Sequence, residues 1–362
     1  MRHLAGILTG VALAVACSAP GFGQDPAADD TPGKGLIGIA MPARTPERWV
    51  ADAAGMVAAF EAAGYATDVE FADDDVPKQL AQIETMIARG AAALVITATD
   101  GTALGSALAS AEAAGIPVIA YDRLIRDSAE VDYYATFDNF GVGVLQDKAL
   151  LACLGPLSAA APKRIELFGG ALADSNAYFF YDGAMSVLEP LIDAGEIEVG
   201  SGETGMDTVG TLRWDATVAA ARMASLLSEH YSGTRLDGVL SPYDGLSIAI
   251  VSALEAVGYG GADMPMPCVT GQDAELASVR SIIAGGQSST VFKDTRALAK
   301  AAAGMVETLL AGGTPEIDDA RTYDNGVKVV PARVLAPVAV DRTNWEQVLV
   351  DSGYYTRAQI GE

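Results

Sequence analysis

From Leu36 onward the chain alternates short apolar runs with longer stretches whose apolar residues recur at helical spacing. Leu36 to Met41, Thr67 to Ala72, Ala93 to Ala98 and Pro117 to Tyr121 have strand character, and all but the second, where Asp68 and Glu70 alternate with apolar residues, are apolar on both faces, which predicts strands buried in a parallel sheet. Between them, 46–63, 76–89 and 102–114 carry the helical period and stop at Gly64, Gly90 and Gly115. The phrase Glu-Ala-Ala-Gly at 61–64 and 112–115, echoed by Glu255-Ala-Val-Gly258, predicts helices that close in a left-handed glycine cap and feed a buried strand. The pattern restarts after Asp138. Strands are predicted at 164–168, 197–200, 238–240 and 268–270, with helices at about 175–193, 216–229, 245–257 and 275–284. Such alternation predicts an α/β fold of right-handed βαβ units, with parallel sheets covered on both faces. Two successive sets of similar size predict two lobes, joined by a tight crossover near 137–140. The tail adds a helix at 294–311, an extended stretch at 329–340 and a last helix near 344–351, enough chain to cross back between lobes.

The first 34 residues stand outside this pattern. Residues 1–23 run from a basic start through an apolar stretch to Gly21 and Gly23 around Phe22, which reads as a secretory signal peptide cleaved before Gln24. The apolar run is shorter than the roughly 20 residues a membrane span needs. Ala16-Cys17 resembles a lipoprotein processing site, against which Ala14 stands where such sites prefer Leu. Residues 24–34, rich in Pro, Asp and Ala, read as a flexible leader. Export to the periplasm is the expectation.

Composition narrows the partners. The 362 residues carry a formal net charge of −24, which repels nucleic-acid backbones and anionic lipid surfaces. With two histidines, His3 and His230, and no HExxH, CxxC or GxxxxGK[ST] pattern, zinc hydrolysis, dithiol redox chemistry and P-loop phosphate binding lose their usual residues. No cofactor and no metal is expected. Cys153 and Cys268 remain in the exported chain, and the sequence leaves open whether they pair.

The chemistry collects where strands end. In open α/β sheets ligands bind beyond the carboxyl ends of the strands. Here those ends read Tyr121-Asp122-Arg123, Phe137-Asp138-Asn139, Pro242-Tyr243-Asp244, Gly271-Gln272-Asp273 and Phe292-Lys293-Asp294, and the first strand runs into Arg48-Trp49. Carboxylates, amides and cations converging with aromatics suit a neutral polyol: each hydroxyl donates and accepts, and the C–H face of the ring packs on an aromatic side chain. Singly, an Asp at a strand end is as often a helix N-cap, and Trp49 on a helix is more often core. Five such ends in one chain favour the binding reading.

The stretches 36-LIGIAMPARTPERW-49, 119-IAYDRLIR-126, 133-YYATFDNFGVGVLQ-146, 175-SNAYFFYDGAMSVL-188, 241-SPYDGLSIAI-250, 270-TGQDAE-275 and 290-TVFKDTRALA-299 strongly resemble the periplasmic sugar receptors of bacterial ABC importers. They are most like the multiple-sugar-binding receptors of the ChvE type and, at greater distance, the xylose-binding proteins. The likeness runs from about Gly35 to Tyr355. It implies a type I periplasmic binding fold whose two doubly wound lobes, 35–137 plus 293–328 and 138–292 plus 329–362, are joined by a three-crossing hinge. It places Arg48, Asp122, Arg123, Asp138, Asn139, Asn176, Asp273 and Lys293 around one aldopyranose such as galactose, glucose, arabinose or xylose, with Trp49 as an aromatic neighbour. The stacking aromatic of the second lobe stays open between Phe180 and Trp214. Tyr243 stands where xylose and ribose receptors carry an Asn. The implied partner is the membrane permease of an ABC importer, and a sensor kinase or chemoreceptor is the implied alternative.

A glycoside hydrolase is the reading from another class, with Asp122 and Asp138 as acid and base. Arg123 beside Asp122 argues against it, because a neighbouring cation lowers a carboxyl pKa, the wrong direction for a general acid.

Overall fold

The computed structural model describes residues 33–361 apart from Pro46. The expected signal peptide and most of the expected leader lie outside the described residues. The first sheet is built from β1 (Leu36–Met41), β2 (Ala66–Phe71), β3 (Ala91–Ile96), β4 (Val118–Tyr121) and β5 (Tyr133–Phe137), with α1 (Arg48–Ala62), α2 (Val76–Ala88) and α3 (Gly105–Ala113) between the first four strands. The chain then leaves for α4 (Asn139–Leu154), β6 (Lys163–Leu167), α5 (Ser175–Asp193), β7 (Ile197–Val199), the single-turn α6 (Met206–Val209), α7 (Ala216–His230), β8 (Gly238–Leu240), α8 (Asp244–Ala256), β9 (Cys268–Val269), α9 (Leu276–Ala284) and β10 (Ser289–Phe292). It closes with α10 (Thr295–Leu310), β11 (Ala332–Leu335), β12 (Val338–Asp341), a short π-helical turn at Glu346–Val350 and α11 (Arg357–Ile360). The glycine caps form as the repeated phrase predicts, with φ of +91° at Gly64, +69° at Gly115 and +103° at Gly258.

Both sheets are doubly wound. The first has the order β11-β5-β4-β3-β1-β2 and the second β7-β6-β8-β9, every pairing parallel. β10 and β12 pair antiparallel and continue the second layer, where Ser288 donates to the Val269 carbonyl and Val291 to that of Gly271. Each sheet is dry on both faces. Ile37, Ile39, Phe60, Tyr121 and Leu298 fill one side of the first, and Ile83, Leu94, Leu108 and Tyr134 the other. Met223, Leu246 and Val269 fill one side of the second, and Leu150, Leu167 and Leu188 the other.

The chain passes between the lobes three times: at Asp138 between β5 and α4, at Lys293-Asp294 between β10 and α10, and at Ala336-Pro337 between β11 and β12. The last crossing departs from the expected division at 329. Ala332–Leu335 pairs with β5 in the first sheet, and only β12 belongs to the second lobe. The expectation treats 329–340 as one extended run; Pro337, which has no N–H for a ladder, divides it.

Cys153 on α4 and Cys268 on β9 form a disulfide that spans 115 residues within the second lobe. Among the described residues no helix is long and apolar enough to cross a membrane.

Candidate functional site

The carboxyl ends of the two sheets face one another across a cleft holding a cavity of about 520 Å³. That size falls in the roughly 300–1,000 Å³ range of small-molecule sites. In each sheet the switch of strand order, at β1/β3 and at β6/β8, is where such folds place a ligand.

Arg48 is the hub. It opens α1, where a cation is opposed by the helix dipole, and it is nearly buried. Three carboxylates compensate. Its Nη2 donates to Asp122 Oδ2 at 2.7 Å, its Nη1 to Asp273 Oδ1 at 3.0 Å and its Nε to Asp52 Oδ2 at 3.3 Å. Burial opposes the guanidinium charge, but Asp122, Asp273 and Asp52 outweigh it and push the Arg48 pKa up. Asp122 follows β4 and Asp273 follows β9, so one side chain clasps the strand ends of both lobes. Behind it Asp52 is fully buried and accepts from the Tyr121 hydroxyl; burial pushes its pKa up to about 6 against the pull of Arg48.

Asp122 sits at φ +59°, in the left-handed region that costs a non-glycine residue. Its carbonyl is held by the Tyr134 hydroxyl at 2.5 Å, Thr136 Oγ1 at 3.2 Å and, from the second lobe, Asn176 Nδ2 at 2.8 Å. Burial would raise its carboxyl pKa, but Arg48, Lys293 and Arg123 together hold it below the ordinary value. Asp74, Asp122, Arg213, Trp214 and Asp273 all line the cavity with positive φ, five of the eight non-glycine residues so placed among those described. Backbone strain of this kind collects at binding sites because the surrounding structure has to enforce it.

The second lobe answers with α5. Asp174 caps that helix through the Asn176 N–H at 3.0 Å, and its other oxygen pairs with Arg123 Nε at 3.1 Å and accepts from Trp214 Nε1 at 3.3 Å. The helix lies very close to α4: a Cβ at Gly183 would fall 2.1 Å from the Phe140 carbonyl, and one at Gly143 1.9 Å from that of Phe180. Glycine at these two positions lets α5 come near enough to bring Asn176 and Phe180 to the cavity wall. Trp214 covers Gly170 in the same way and meets Phe180 and Tyr243 edge-on, at centroid separations of 6.3 and 6.1 Å. Lys293, at the second crossing, is buried and pairs with Asp273 Oδ1 at 3.0 Å. Gln272 is buried in the wall, and its Oε1 accepts no hydrogen bond from the described residues.

A family model, periplasmic binding protein domain, matches residues 37–314. The chain belongs to that family. It is 55% identical over 357 residues to the multiple sugar-binding periplasmic protein SbpA of Azospirillum brasilense, covering 99% of this chain and 98% of that one. It is 55% identical over 361 residues to the multiple sugar-binding periplasmic receptor ChvE of Rhizobium radiobacter, covering 99% and 100%. Among solved structures, an ABC transporter solute binding protein from Clostridium phytofermentans with bound β-D-glucose is 42% identical and superposes with a TM-score of 0.86 over 90% of this chain and 99% of that one. The two doubly wound lobes and three crossings are the type I periplasmic binding fold.

In this periplasmic binding protein Arg48, Trp49, Asp122, Arg123, Asn176, Phe180, Asp273 and Lys293 all line the cavity. Both candidate aromatics of the second lobe, Phe180 and Trp214, do so. Asp138 and Asn139 do not. Asp138 is exposed and caps α4, accepting from the Gly141 N–H at 2.8 Å, while buried Asn139 donates to Thr136 Oγ1 at 3.3 Å. The demand of a helix N-terminus for a capping oxygen claims Asp138 at the first crossing. The acid and base of the hydrolase reading are therefore not both in the cavity. The sequence reading does not include Asp174, Gln272, Asp74 or Arg213 among the site residues. Asp174 carried a signal: it precedes the Ser-Asn-Ala motif in the loop after β6, a strand end for which the reading names no polar residues. Asp244 serves the fold, its oxygens accepting from Gln287 Nε2, Thr290 Oγ1 and the Glu275 N–H, each at 2.9 Å.

Proposed function

We propose that this protein is a periplasmic receptor that closes on one neutral aldopyranose and delivers it to the permease of an ABC importer. The observation that carries this reading is the pairing pattern of the cavity floor. Arg48, Arg123 and Lys293 each already hold a carboxylate, and the cavity lining mixes hydrogen-bond donors and acceptors with aromatic rings. Such a wall bonds hydroxyls, which both give and accept, without importing charge. That SbpA and ChvE are multiple sugar-binding proteins, and that the Clostridium protein holds β-D-glucose, supports the same ligand class.

The mechanism follows from the lobe-spanning contacts. Arg48 to Asp273, Arg123 to Asp174 and Asn176 to the Asp122 carbonyl each join one lobe to the other, so they form only when the cleft is shut. A sugar bonded to both walls adds to this set and shifts the open-to-closed equilibrium. Closure excludes water, and hydrogen bonds to charged groups contribute roughly 1.5–3 kcal/mol each, net. A dissociation constant of about 1 μM corresponds to about −8 kcal/mol, inside the ceiling for a ligand of hexose size.

A thermal-shift panel tests the reading. Galactose, glucose, arabinose or xylose should raise the melting temperature, and their phosphates should not, because Asp122, Asp174 and Asp273 oppose added negative charge. Stabilisation by phosphates and not by free sugars refutes it.

A further inference from the structure

The cavity is larger than one sugar ring requires. Allowing a hexose the roughly 30 Å³ that each water occupies in the liquid for every one of its twelve non-hydrogen atoms, a deliberately generous figure, it takes about 360 Å³. Of the 520 Å³ available, on the order of 160 Å³ is left over, about half of the roughly 330 Å³ that the eleven further atoms of a second ring take on the same allowance. The surplus is not spread evenly in character. The deep wall, Arg48, Asp122, Asn176, Phe180, Gln272 and Lys293, is buried, whereas Thr45, Asp74, Arg213 and Asp215 line the same cavity and are exposed, which places them at its mouth.

The mouth repeats the chemistry of the floor. Asp74 and Asp215 supply acceptors, Arg213 supplies donors and Thr45 supplies both, and the four come from the two lobes, Thr45 and Asp74 from one and Arg213 and Asp215 from the other. Arg213 differs from every cation of the floor, because among the described residues no carboxylate lies within ion-pair distance of it. It also shares its left-handed conformation, φ +56°, with Trp214, so a single strained pair supplies an aromatic to the wall and a guanidinium to the mouth. With two carboxylates and one cation, the mouth is no better a place for a phosphate than the floor, and it suits an uncharged ring.

We propose that the mouth of the cleft is an outer subsite that accepts the second, uncharged pyranose ring of a disaccharide whose first ring occupies the floor. The inference rests on the sugar-receptor reading above and extends it from free monosaccharides to glycosides. The second ring bonds Asp74, Arg213 and Asp215 and leaves about half of itself in solvent, so the two lobes still meet through Arg48, Arg123 and Asn176.

Calorimetric titration of the exported chain with D-glucose, cellobiose, maltose and lactose tests it, with each disaccharide checked by chromatography for hydrolysis. At least one disaccharide should bind one to one, within about tenfold of the best monosaccharide, and should compete with it. Arg213→Ala should lower affinity for that disaccharide at least fivefold more than affinity for the monosaccharide. Glucose binding with no disaccharide binding overturns the subsite and leaves the receptor reading intact. No binding of any sugar overturns the receptor reading itself. Disaccharide binding that Arg213→Ala and Asp74→Ala weaken no more than monosaccharide binding places the second ring elsewhere and also overturns the proposal.

Discussion

Asp122→Asn is the substitution that separates a binding carboxylate from a structural one. Asn tolerates the left-handed conformation that Asp122 holds at φ +59°, so the backbone that offers its carbonyl to Tyr134, Thr136 and Asn176 should stay in place. The charge is what goes. Arg48 loses its 2.7 Å partner, and one acceptor facing the cavity becomes a donor. Arg48 keeps Asp52 and Asp273, which limits the damage to the ligand-free fold. In the closed, dry cleft one hydrogen bond to a charged group is lost and a donor is left without an acceptor, a cost of about 2 kcal/mol or about thirtyfold in affinity. Because Arg48, Lys293 and Arg123 lower the Asp122 pKa, its contribution is present above the unfolded value of 3.8 and is lost only as pH falls through the still lower folded value. The loss on substitution should therefore be constant as far as Asp122 is concerned between about pH 5 and 8. The assay is calorimetric titration with the tightest sugar of the panel, with circular dichroism as the check on folding. Glu112→Gln, at an exposed position on α3, is the control and should leave binding unchanged. A folded Asp122→Asn protein that binds within threefold of the parent would show that Asp122 only braces Arg48.

The other expectations concern stability and export. Replacing Cys153 and Cys268 by Ser should lower unfolding free energy by about 2–4 kcal/mol, measured by denaturant titration, because the bridge closes a loop of more than a hundred residues; an unchanged midpoint would contradict it. Asp147 is buried in α4 with neither carboxylate oxygen hydrogen-bonded among the described residues, and burial raises its pKa well above the ordinary value. A raised carboxyl pKa contributes stability at low pH that is lost as pH rises through the folded value, and Asp52, pushed up to about 6, acts in the same direction. The ligand-free protein should therefore melt higher at pH 5.5 than at pH 7.5, and Asp147→Leu should flatten that dependence and add about 1–3 kcal/mol at pH 7.5. A variant that is less stable than the parent at both pH values would refute this account of Asp147. Amino-terminal sequencing of the protein recovered from the periplasm should begin near Gln24, and a chain retaining Met1 would contradict export.

Local structure was legible in many segments, although the sequence reading names no element over Asn139–Leu154, which folds as α4. Ser175–Asp193 and Gly238–Leu240 fall where the hydrophobic pattern put them, and the repeated Glu-Ala-Ala-Gly phrase marks real left-handed caps. The lobe assignment of Ala332–Leu335 was not legible, because the two halves of the 329–340 run are equally extended and only their partners, β5 and β10, tell them apart. The site shows the same division. Polar residues at strand ends pointed to Asp122, Asp273 and Lys293, since a sheet presents those ends together. Asp138 carried the same local signature and went to a helix cap, because a single sequence does not reveal which of two uses of a carboxylate the packing will favour. Asp174, read past in the loop after β6, is where three parts of the site meet, and that convergence of Arg123, Asn176 and Trp214 exists only in three dimensions.

The central claim is that a neutral aldopyranose binds in the cleft between the lobes. Titration of the exported chain with D-glucose and D-galactose, monitored by calorimetry, tests it most directly. The account predicts saturable binding of one sugar per chain with a dissociation constant on the order of 1 μM, and about thirtyfold weaker binding when Asp122 is replaced by Asn. No binding heat with any free aldose at millimolar concentration, from a protein that circular dichroism shows to be folded, would contradict it.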